Sequence, residues 1–227
     1  MDGVALLRSS GPLVAPDVGT LMGAASGLTT VGGPKVLPVT DTLVDLFPWG
    51  GLRRGSTVAV RGSTSLLFAL LAAASADGSW AVLVGMPRAG VLAAAELGVV
   101  VERLALVPSP GPDPARVLAA LLDGIDLVAV ATTGAGVSPS TARRLSARAR
   151  HRGAVLLSFG PWPGADVELS CSAIRWAGLG NGSGALTGRS VTVSARGRGA
   201  ASRPVHRTVR LPEPVDSKEA DSDLRGP

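Results

Sequence analysis

The order of apolar and polar positions along the chain repeats one unit. Residues 56–61 are short and β-branched, which predicts a strand, and residues 64–76 are continuous apolar helix-forming sequence closed by Asp77-Gly78, which predicts a buried helix. The unit recurs: 80–84, 103–107, 126–131 and 154–159 read as strands, and 89–97, 114–122 and 139–151 read as the helices between them. Strands alternating with helices over short turns are the mark of right-handed βαβ crossovers and a mostly parallel sheet with helices on both faces. After Phe159 the rhythm changes. Residues 167–176, 190–196 and 205–211 read as strands with no helix between them, so antiparallel hairpins are expected to extend the sheet. Trp176, alternating with Ile174, reads as sheet core. The fold class is therefore α/β. Residues 1–40, rich in Gly, Pro, Ser and Thr, predict an irregular arm, 41–211 one core domain, and 212–227 a disordered acidic tail.

Composition narrows the function classes. The longest apolar run is far shorter than the roughly 20 residues that cross a bilayer, and the start lacks the basic segment of a secretory signal, so no membrane is expected and the location expected is the cytoplasm. One cysteine, Cys171, and two histidines, His151 and His206, make neither a disulfide framework nor an evident metal site, so no metal is expected. Charge is segregated. Residues 141–210 carry 12 basic and 2 acidic side chains, against 8 and 10 in residues 1–140 and 2 and 5 in the tail. Arginine in place of lysine follows from GC-rich codon usage, but the shortage of acids in the middle block does not. A basic surface facing a polyanion or an acidic partner follows from it.

The turn after the first predicted strand, Arg61-Gly62-Ser63-Thr64-Ser65, lies where backbone N–H groups and a helix dipole converge, the natural phosphate site of an α/β sheet. A Walker A loop needs glycines to wrap the phosphates, a lysine to bridge them and a Ser or Thr for magnesium. Only the Thr64-Ser65 end is present, and no lysine occurs between Lys35 and Lys218. Capping of the helix by Ser63 or Thr64 explains the turn without a nucleotide. Neither the strand exit at Ala131-Thr132-Thr133 nor the one at Gly85-Met86-Pro87-Arg88 offers a carboxylate, and Asp126 stands at the wrong end of its strand. No cofactor and no ATP hydrolysis are expected.

Two stretches carry a resemblance. The run 46–56, Leu-Phe-Pro-Trp-Gly-Gly-Leu-Arg-Arg-Gly-Ser, followed by Thr57-Val58-Ala59-Val60, resembles the Gly-Gly-Leu-x-x-Gly entry into the Walker strand of the RecA family. Ala94-Ala95-Glu96-Leu97-Gly98-Val99 before Glu102-Arg103-Leu104 is similar to the helix ending in Leu-Gly-Val that precedes a short RecA strand. The likeness covers roughly residues 40–211 and is strongest to RecA-like accessory proteins of the bacterial mutasome, the ImuA type, in the shortened actinobacterial form. It implies a RecA-like core of the P-loop type, a place in damage-induced translesion synthesis and SOS mutagenesis, and a Y-family-like polymerase subunit as partner. On that reading Gly62, Ser63, Thr64 and Ser65 are a vestigial phosphate loop. A division inhibitor of the SulA kind and a residual ATP-binding protein remain as alternatives.

The candidate contact residues come from the basic block. Arg143, Arg144 and Arg148 have helical spacing in 139–151, and a solvated helix face is their ordinary explanation. Arg196, Arg198 and Arg203 crowd a Gly-rich hairpin tip suited to phosphate or carboxylate contacts, and Arg189 ends a Gly-rich loop, 178–189, that contains Asn181-Gly182-Ser183-Gly184. With no tyrosine and few tryptophans nearby, DNA would be met through its phosphates; self-association is left open. Catalytic residues are not expected: Cys171 lacks an evident base, and nothing in their spacing ties His206 to Asp166 or Glu168.

Overall fold

A computed structural model describes residues 35–132, 136–177 and 188–211. The arm 1–34, the loop containing 181–184, Thr133 and the tail lie outside the described residues.

The chain enters through β1 (Val36–Leu37), a single-turn helix α1 (Asp41–Val44) and β2 (Leu52–Arg53), with β1 and β2 paired as an antiparallel ribbon. The arm expected over residues 1–40 is thus corrected at its end. Leu37 and Val39 are buried with Leu43, Leu46 and Leu52, because two paired residues suffice to fix a short apolar segment on the core although they are too few to show a period.

The repeating unit follows: β3 (Thr57–Arg61), α2 (Thr64–Ala76), β4 (Ala81–Val84), α3 (Val91–Glu96), β5 (Leu104–Val107), α4 (Pro114–Leu121), β6 (Leu127–Ala131), α5 (Pro139–Arg152) and β7 (Val155–Phe159). Three long strands, β8 (Val167–Ala177), β9 (Gly188–Gly197) and β10 (Val205–Leu211), complete it. The eight-stranded sheet has the order β10-β9-β8-β3-β7-β6-β4-β5. Pairing is parallel from β8 to β5 and antiparallel for β8-β9 and β9-β10, as the change of rhythm after Phe159 implies.

Burial follows the layers. Val58–Val60, Ala81–Val84, Leu127–Val130 and Val155–Leu157 are buried on both faces, as strands between two helix layers must be. Helix α2 is apolar on nearly every side and lies in the core shared with β1, β2 and one face of the whole sheet. The opposite face packs α4 and α5. In α5 only Ala142, Leu145 and Ala149 are buried, one stripe at helical spacing, and the arginines point outward. Ser146 anchors that helix to the sheet by accepting from Thr57 Oγ1 at 2.9 Å and from Trp162 Nε1 at 3.1 Å. Its start is set by Ser138, whose hydroxyl accepts from Thr141 N–H, with Pro139 at the first position, and Gly153 in the left-handed region ends it.

Candidate functional site

Gly62 and Ser63 alone join β3 to α2. Gly62 turns with φ of 85°, in the left-handed region, while the Cys171 carbonyl lies 3.2 Å from where a Cβ would be, so backbone conformation and close approach both select glycine. Ser63 is extended, buried, and accepts from Leu66 N–H at 3.2 Å, so it is the residue that caps the helix. Thr64 and Ser65 are already the first residues of α2. The chain therefore passes from strand to helix in two residues.

Arg189, at the start of β9, reaches this turn. Its Nη2 donates to Ser63 Oγ at 3.2 Å, and its guanidinium lies 5.7 Å from the ring centre of Trp176. Trp176 is 57% exposed and is not the sheet core that its alternation with Ile174 suggests. Cys171 completes the group: burial is the largest influence on its thiol and pushes the pKa up, against the opposing pull of nearby Ser63 and the Arg189 charge. A thiol held protonated is a poor nucleophile.

Among the described residues no carboxylate joins them. Beyond β4 stand Gly85 and Met86, and beyond β7 stand Gly160 and Pro161. Beyond β6 stands Thr132, whose hydroxyl is buried within 3.2 Å of Ser158 Oγ and of the Pro161 carbonyl. Thr132 crosslinks two strand exits where an ATPase would place acids for magnesium and water. The acids sit at the other end of the strands. Asp126 accepts from Arg54 at 2.8 Å and from Trp80 N–H at 3.0 Å, and Asp166 accepts from Thr57 N–H at 2.8 Å.

The basic residues that the sequence groups together are separated in space. Strand β9 runs from Arg189 at the carboxyl ends of the parallel strands to Arg196 at their amino ends, roughly 23 Å at about 3.3 Å per residue. Arg189 thus belongs with the Gly62–Ser63 turn, and Arg198 and Arg203 with the opposite rim. Arg196 is not at a hairpin tip; it stands in the ladder and donates to Glu168 at 3.0 Å. Gly197 follows because a Cβ there would collide with the Asp166 carbonyl, which accepts from Arg198 N–H. Arg198 and Arg203 are exposed without a carboxylate partner among the described residues.

On α5, Arg148 grips Asp123 through Nε at 2.8 Å and Nη2 at 2.5 Å, with Arg152 at 3.0 Å from the same carboxylate. The Arg148 hydrogen bond is the main reason the Asp123 pKa falls below its ordinary 3.8. Arg143 donates to the Pro139 carbonyl, and Arg144 lines a shallow groove between α4 and α5 with Asp113 and Arg116. His206 is exposed on β10 and makes no hydrogen bond to Asp166 or Glu168, so no dyad forms.

A family model described as the MT3502 N-terminal domain matches residues 45–164, from just after α1 to just beyond β7, and so includes the Gly62–Ser63 turn and α5. The chain belongs to that family. The uncharacterized protein Rv3395c of Mycobacterium tuberculosis is 37% identical over 164 residues, covering 68% of this chain and 80% of that protein. The stretch matched by the MT3502 N-terminal domain ends before β8, so Trp176, Arg189 and the arginines of the β9–β10 connection lie beyond it. Among the described residues no helix is long and apolar enough to cross a membrane, and no three His, Cys, Asp or Glu side chains gather as metal ligands.

Proposed function

We propose that the chain is a RecA-like accessory protein without ATPase activity, one that docks a Y-family-like polymerase subunit during damage-induced translesion synthesis. The observation that carries this reading is the turn after β3. It has the position of a phosphate loop at the carboxyl end of an interior strand, but its two residues are committed to a glycine turn and a helix cap, with Arg189 bonded across it. Supporting it are the RecA-like run 46–60 and the parallel sheet with an antiparallel extension. With neither lysine nor carboxylate among the described residues at the turn, such a domain would act by presenting surfaces. Arg198 and Arg203, exposed on the rim far from the turn, are the contact residues of this reading.

Co-purification of the tagged full chain from its own cells after DNA damage tests it. The polymerase subunit is expected with the unaltered protein and should be lost with the Arg198→Glu, Arg203→Glu double variant. Its absence from the unaltered sample overturns the reading, and its retention by the variant rejects this rim as the contact. Magnesium-ATP should leave the melting temperature unchanged, whereas a nucleotide at 100 times its Kd would add about 2.7 kcal/mol.

A further inference from the structure

On the β8 side of β3 the sheet is covered on one face only. In the three long strands Leu169, Val191, Val193 and Val209 are buried in the α2 layer, while none of the described side chains of β8, β9 or β10 enters the core under α4 and α5.

The opposite face presents short hydroxyl side chains in register. Ser172 stands opposite Thr192 and Thr192 opposite Thr208, and in the next row Ser170 stands opposite Ser194. Arginines flank these rows: Arg61 beside Ser170, and Arg175 and Arg210 on either side of Ser190. Glu168 is the one carboxylate on the described part of this face. Arg196 donates to it at 3.0 Å, and Arg61 Nε lies 2.5 Å from its other oxygen without the alignment of a hydrogen bond. Arg175 and Arg210 are exposed and have no carboxylate partner among the described residues.

A solvated sheet face ordinarily pairs opposite charges across its strands, and uncompensated cations in one row repel until an anion arrives. Short hydroxyls let a backbone approach closely and donate to phosphate oxygens. Binders of single strands add aromatic platforms, and no tryptophan, tyrosine or phenylalanine stands among the described residues of this face. We propose that this face of β8, β9 and β10 seats the phosphodiester backbone of double-stranded nucleic acid without regard to sequence, Arg175 and Arg210 pairing with phosphates and the Ser and Thr rows donating to them. The proposal does not rest on the polymerase reading.

Fluorescence anisotropy of the full chain with a labelled mixed-sequence duplex tests it. Affinity should fall linearly with salt on logarithmic axes, and the Arg175→Glu, Arg210→Glu pair should weaken binding by about tenfold or more and reduce the salt slope by about 2. Arg175→Gln with Arg210→Gln should give an intermediate loss, and Arg88→Glu with Arg116→Glu, away from this face, should change little. No duplex binding at low salt, or equal losses from the sheet pair and this distant pair, overturns the proposal. Preference for poly-glutamate over the duplex overturns it in favour of an acidic protein partner.

Discussion

The two ends of the parallel strands differ in what they hold. At the amino ends, Asp126 and Asp166 accept backbone N–H groups of Trp80 and Thr57, and Arg54 and Arg150 stand beside them at 2.8 and 3.8 Å. At the carboxyl ends, where open α/β sheets bind ligands, stand Ser63, Thr132, Cys171 and Arg189, with no carboxylate there among the described residues. Asp126 and Asp166 hold strand starts together, and at the end suited to chemistry the described side chains make hydroxyl contacts. A carboxylate near a strand is therefore informative only once its end of the strand is known.

Substitutions at the two ends put that contrast to the test. Asp166→Ala should cost the most, about 2 kcal/mol in denaturant unfolding, because it leaves the buried Thr57 N–H without its side-chain acceptor. A loss no larger than that of an ordinary surface change would show that the amino end is not held by its acids. At the carboxyl end Ser63→Ala should cost about 1 kcal/mol, the worth of a helix cap, and should free Arg189. If it cost more than Asp166→Ala, the ranking of the ends would be reversed. Asp123→Asn, away from both ends, should cost less than either, because solvent screens the pair with Arg148. Asp123 has a lowered folded pKa, so its contribution is present above the unfolded value near 3.8 and is lost as pH falls through the lower folded value. The gap between the unaltered chain and this variant should close over that acid range in pH-dependent melts.

Much of the fold is legible in the chain itself. Helix α2 spans the expected residues 64–76, and α4, α5 and the interior strands fall within a residue or two of expectation, since caps such as Ser63, Asp113 and Ser138 act on neighbours three positions away. The ribbon of β1 and β2 is not legible, because its evidence is pairing between Leu37 and Leu52 and not a local period. The candidate residues divide in the same way. Ser63 as a cap can be read from its place before an apolar run, but Arg189, which meets it from 126 positions away, cannot.

Local order along the chain accounts for the alternation of strand and helix, the helix caps, the absence of lysine between Lys35 and Lys218, and the excess of arginine after residue 140. Contacts between distant segments settle that Arg189 and Arg196 lie at opposite ends of β9, that Asp166 closes onto Thr57, and that the described residues on one face of β8, β9 and β10 stay outside the core. Periods and caps act over a few residues of one segment, whereas strand order and register join segments far apart, and those long-range pairings fix which side chains meet.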